Sequence, residues 1–228
     1  MLIVGTSIIR DLNRQDIADV TDCNVKYVEA FTVDKDTDAF HPERNFLKIV
    51  PEELSKENFD VLILNSGPNE ISNIDTRANY SQNIKSWRDK AYLSSLKLYN
   101  LAEQCLQNYP YLKKVVIVNR IPRYDDNVKS HLSQFANRVL QDIWTQNGST
   151  NKIVINGLNL GCENNLRRQR YGHPSMPRAD GIHLRGPLGG QHLTESFVNM
   201  LVDTFPHLNK NIESATNSVG QTNISENC

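Results

Sequence analysis

Three short stretches of this chain carry residues able to do acyl-transfer chemistry. Ser7 follows an apolar run, Leu2 to Val4, that stops at Gly5; Asn69 stands in Gly67-Pro68-Asn69-Glu70; Asp180 and His183 share Asp180-Gly181-Ile182-His183. A serine hydroxyl is a weak nucleophile until an imidazole takes its proton. The imidazole in turn needs a partner that fixes its tautomer and stabilises its charged form. Ser7, His183 and Asp180 supply that set. The i, i+3 spacing of Asp180 and His183 lets one tight turn bring the carboxylate to the ring, and Gly181 gives the backbone the freedom to make it. Each residue also has an ordinary reading: Ser7 as a helix cap, Asn69 as a turn residue, Asp180 as a loop cap, His183 as a partly buried histidine. Their joint occurrence after strands favours the chemical reading.

The elements that must position these residues are legible as alternating short apolar runs and longer amphipathic stretches. Runs at 2–4, 25–31, 61–64, 114–118 and 152–155 are strand candidates, four of them nearly continuous in apolar character, as in sheets buried on both faces. Helical spacing fills the stretches around 8–20, 76–108, 128–146 and 190–205; in the second, Leu93, Leu96, Leu98, Leu101 and Leu106 are read as one apolar face ending at Asn108 to Pro110. Strand then helix, repeated, predicts a parallel α/β sandwich. In such sheets ligands bind beyond the carboxyl ends of the strands, where all three candidate stretches fall. No repeat or Pro/Gly/Ser linker divides the body, so residues 1–208 read as one domain. Residues 209–228, polar and rich in Asn and Ser, read as a disordered tail.

Composition narrows the partners. The chain has 228 residues, 39% hydrophobic and 22% charged, with a formal net charge of −1, which gives no global drive toward nucleic acid or an anionic membrane. No apolar run approaches the roughly 20 residues of a membrane span, and the amino terminus lacks a signal-peptide pattern, so a soluble, intracellular protein is expected. The four cysteines form no CxxC pair and the histidines no ligand spacing such as HExxH; neither a metal nor a cofactor is expected. Three triplets of the glycosylation pattern, at Asn79, Asn147 and Asn223, carry meaning only in a secreted chain. The basic stretch 166–178 reads first as a solvated surface, although it lies just before Asp180. Arg120 and Arg123 follow the fourth strand and are placed beside a substrate with Gly67 and Tyr171; Trp87 is a further candidate for packing on a sugar or acyl chain.

Taken together, Gly5-Thr6-Ser7, Gly67-Pro68-Asn69-Glu70 and Asp180-Gly181-Ile182-His183 resemble, in order, three motif blocks of the SGNH hydrolases, also called GDSL esterases and lipases. The resemblance spans residues 2 to about 205. It implies a three-layer α/β/α sandwich on a five-stranded parallel sheet of flavodoxin-like order 2-1-3-4-5. It also implies a serine esterase acting on a small acyl ester, acetyl among them, without a cofactor. The Ser7 backbone amide and the Asn69 side chain would then serve as oxyanion donors. Two positions depart from the family pattern. Thr6 stands where an aspartate is usual, and no glycine occurs from Thr6 to Ser66 to supply the second block; a non-glycine residue of the corresponding stretch 29–37, such as Thr32, would offer that backbone amide instead. Some domains resembling this family lack the triad and bind ligands such as RNA. A binding module for RNA or carbohydrate, within a larger protein or alone, is therefore the alternative reading.

Overall fold

Five of the apolar runs become the strands of one sheet. In the computed structural model, residues 1–10, 12–33, 43–66, 80–121, 126–148, 151–158 and 186–208 are described. Strands β1 (Leu2–Gly5), β2 (Lys26–Glu29), β3 (Val61–Asn65), β4 (Lys114–Val118) and β5 (Ile153–Asn156) are all parallel and lie in the order β2-β1-β3-β4-β5. This is the expected order. Runs rich in Val, Ile and Leu occupy the centre, where β1, β3 and β4 are almost wholly buried, while β2, with Lys26 and Glu29 at its ends, is a half-buried edge strand.

Because successive side chains on a strand point to opposite faces, the sheet feeds two separate cores. Leu2, Val4, Leu62, Leu64, Val115 and Ile117 pack with helices α2 (Phe46–Lys56), α3 (Tyr80–Asn108) and α4 (Asn127–Gln146). Ile3, Ile63, Val116 and Val118 pack with α1 (Arg14–Thr21) and α5 (Gly186–Thr204) on the opposite face. The result is the three-layer sandwich. Among the described residues no helix is long and apolar enough to cross a membrane.

Three local features depart from the sequence reading. The first helix, expected over 8–20, is split into a 3₁₀ turn at Ser7–Ile9 and α1, whose cap is Asn13: its Oδ1 accepts from the Gln15 amide at 3.1 Å. Helix α2 lies outside the helical stretches read from the sequence, and Pro51 sits inside it. The proline removes only an amide that would have bonded the carbonyl of exposed Leu47, while Phe46, Val50 and Leu54 fill the core and Asn45 caps the first turn by accepting from the Lys48 amide at 3.0 Å. In α3, Leu98 and Leu101 are buried, but Leu93 is 50% exposed. Five residues of helix rotate Leu93 well away from Leu98, so the two share no face. The proposed tail, residues 209–228, lies outside the described residues.

Candidate active site

The bend after β1 is the best-defined part of the site. Pairing of β1 with β3 continues one step past the strands, the Thr6 amide donating to the Asn65 carbonyl at 3.2 Å. The chain then turns at once into the 3₁₀ turn, with the Ile9 amide donating to the Thr6 carbonyl at 3.1 Å. Ser7, half-buried, is the first residue of that turn. Gly5 permits it, because a Cβ at position 5 would lie 2.1 Å from Ile9 Cδ1 and 2.5 Å from Ile9 Cγ1, and the Ile9 side chain is wholly buried. Ser7 therefore opens a turn folded back tightly on its strand, and Asn13 caps the first α-helix in its place.

From the neighbouring strand, the Tyr27 hydroxyl donates to the carbonyls of Gly5 and Thr6, at 3.2 and 3.1 Å. On the other side, β3 ends at Asn65 and is followed by Ser66, and β4 is followed by Asn119. Thr6, Asn65 and Ser66 are fully buried. Thr6 Oγ1, both amide atoms of Asn65, Ser66 Oγ and Asn119 Oδ1 have no hydrogen-bond partner among the described residues. Such groups are rare in native interiors. The carboxyl ends of β1 and β3 flank the point where the strand order reverses, the usual place for a ligand crevice in this architecture.

The structure brings Ser7 and Thr32 to the same end of the sheet. Thr32, three residues past β2 and 1% exposed, forms an isolated parallel bridge with Asn45, and its carbonyl accepts from the Phe46 amide at 2.9 Å. Arg120 differs from expectation. Its side chain is enclosed rather than turned outward: Nη1 donates to Ser95 Oγ at 3.0 Å and Nη2 to Ser94 Oγ at 2.8 Å, both on α3. Its backbone is clasped by Asn137 of α4, through Oδ1 at 2.8 Å and Nδ2 at 2.9 Å, so Arg120 binds the end of β4 to two helices. Trp87 likewise packs inward, with Leu132, Ile84 and Val128. Gly67, Asn69, Arg123, Tyr171, Asp180 and His183 lie outside the described residues. Helix α5, whose described start at Gly186 follows His183 by three residues, is tied to the Ser7 side of the molecule through the Asn13 amide, which donates to Thr194 Oγ1 at 3.0 Å.

Burial pushes the Cys105 thiol up to about 12, which keeps it protonated and inert within the core. Among the described residues no cluster of three or more His, Cys, Asp or Glu could hold a metal ion.

No family model and no curated protein matches the sequence. Solved structures do resemble it in fold. An acetylxylan esterase from Geobacillus stearothermophilus, in a catalytic mutant form, superposes with a TM-score of 0.50 at 14% identity, over 87% of this chain and 92% of that one. A GDSL-like lipase from Bacteroides thetaiotaomicron gives 0.48 at 13% identity over 92% and 87% of the two chains. An alpha/beta hydrolase enzyme from the metagenome of Lake Arreo gives 0.49 at 11% over 87% and 93%. With the sheet order β2-β1-β3-β4-β5 and helices on both faces, the chain shares the fold of the Geobacillus acetylxylan esterase, a three-layer α/β/α sandwich of the kind that the resemblance to SGNH hydrolases implies.

Proposed function

We propose that this chain is a serine ester hydrolase in which Ser7 is the nucleophile, His183 the general base and Asp180 the group that orients and stabilises the imidazole. The observation that carries the reading is the placement of Ser7: the first residue of a tight turn directly beyond β1, at the reversal point of the sheet, with the helix-capping role taken by Asn13. Ser7 Oγ would attack the ester carbonyl as its proton passes to His183, and the alcohol would leave with that proton. Water, deprotonated by the same imidazole, would then release the acid. The Ser7 backbone amide, the Asn69 side-chain amide and the Thr32 backbone amide are the proposed oxyanion donors. A small acyl group, acetyl first, is the proposed substrate portion, with Gly67, Arg123 and Tyr171 near the leaving group.

Labelling with a serine-reactive fluorophosphonate, followed by peptide mass mapping, tests the assignment. Modification confined to Ser7 is expected. The Ser7→Ala protein should fold normally, escape labelling and lose hydrolysis of 4-nitrophenyl acetate by about 10⁴-fold or more. A folded wild-type protein that takes no label would overturn the enzyme reading and leave a binding module on the same fold.

A further inference from the structure

We infer that Tyr27 is a positioning residue for the proposed oxyanion site, holding the peptide that carries the Ser7 amide. The inference rests on the reading of Ser7 as nucleophile. Tyr27 lies on edge strand β2, in register with Ile3 of β1, and its hydroxyl reaches further along β1 to donate to the carbonyls of Gly5 and Thr6. A phenol has one proton, so the two bonds form a shared, three-centre contact.

Neither carbonyl needs this donor. Gly5 already accepts from the Ala30 amide at 2.9 Å and Thr6 from the Ile9 amide at 3.1 Å. What the phenol adds is orientation. A peptide unit is planar and trans, so the Thr6 carbonyl and the Ser7 N–H lie in one plane and point in opposite directions. Fixing the Thr6 oxygen therefore fixes where the Ser7 N–H aims. Because the same hydroxyl also holds the Gly5 oxygen, the peptide planes on either side of Thr6 cannot rotate independently. The ring is itself held, with the Arg14 guanidinium carbon 5.5 Å from its centroid and the apolar core of the α1–α5 face against it.

A donor aimed in advance at developing charge acts on turnover more than on ground-state binding. The Tyr27→Phe protein should thus show kcat for 4-nitrophenyl acetate lowered about 10-fold with KM little changed, and fluorophosphonate labelling of Ser7 slowed about as much. A merely structural tyrosine would lower the unfolding midpoint and leave the labelling rate of the folded protein where it was. Equal rates in wild type and Tyr27→Phe overturn the inference while Ser7 stands as nucleophile. Absence of label in both proteins overturns the Ser7 reading, and this inference with it. Should Tyr27→Phe fail to fold, Arg14→Ala at an exposed position leaves the phenol in place and loosens its ring. Labelling slowed about 2- to 3-fold is then expected, and an unchanged rate counts against the role.

Discussion

At the scale of single residues, the bend after β1 is governed by what Gly5 lacks. A methyl group there would press into the side chain of Ile9, which is wholly buried. Gly5→Ala should cost about 1–3 kcal/mol in urea denaturation and also slow labelling of Ser7, since Ile9 and Ser7 share one 3₁₀ turn. A variant that loses stability but labels at the wild-type rate would separate the packing of Ile9 from the position of the nucleophile. The position of Ser7 was legible, because an apolar strand that stops at glycine and then shows a hydroxyl places that hydroxyl at the sheet's rim. Tyr27 and Arg120 were not. The Tyr27 bonds depend on the register of β2 against β1, and Arg120 reads as a residue beside the substrate until its guanidinium is found on two serines of a helix 25 and 26 residues earlier.

At the scale of elements, the strands were readable from their apolar runs, whereas α2 was hidden by a single residue. Phe46, Val50 and Leu54 recur every four positions, and Asn45 is a good cap, but Pro51 reads as a breaker and the helix tolerates it only because tertiary packing outweighs local propensity. The docking of α2 beside edge strand β2 is reinforced by charge. Glu53 lies 2.8 Å from Lys26 of β2 and 2.6 Å from Lys56 of its own helix, and these hydrogen bonds, that from Lys26 first, hold its carboxyl below the ordinary value of 4.5. A depressed carboxylate pKa contributes stability that is present above the unfolded-state value and is lost as pH falls through the folded one. Because Lys26 and Lys56 are both more than a third exposed, the contribution is about 1 kcal/mol or less. Urea titrations of wild type and Glu53→Gln should therefore differ by that amount at neutral pH and converge in strong acid. A gap that persists in acid would assign the effect to packing of the Glu53 side chain instead.

At the scale of the whole molecule, one sheet is shared by two cores, and the candidate site lies at the edge where both faces end. Local sequence specified that strands alternate with helices. The order of the strands is set by long crossovers, and here it became legible only through the resemblance of three short motifs to a known family. Sharing the sheet has a consequence for unfolding. Ile63 and Leu64 are neighbours on β3, both fully buried, yet Ile63 serves the α1–α5 core and Leu64 the opposite one. Both tryptophans lie on the Leu64 side: Trp87 packs against Leu132 of α4, and Trp144, packed against that core, donates from Nε1 to the Ile153 carbonyl at 2.8 Å. Ile63→Ala should cost about 2–5 kcal/mol. If the sheet couples the two cores into one cooperative unit, that loss on the far face must lower the tryptophan fluorescence midpoint as much as the far-UV circular dichroism midpoint, in a single transition. A fluorescence midpoint left at its wild-type value would mean that the layers melt separately. The turn carrying Ser7, whose Ile9 belongs to the α1–α5 core, would then lose its support before the opposite layer unfolds.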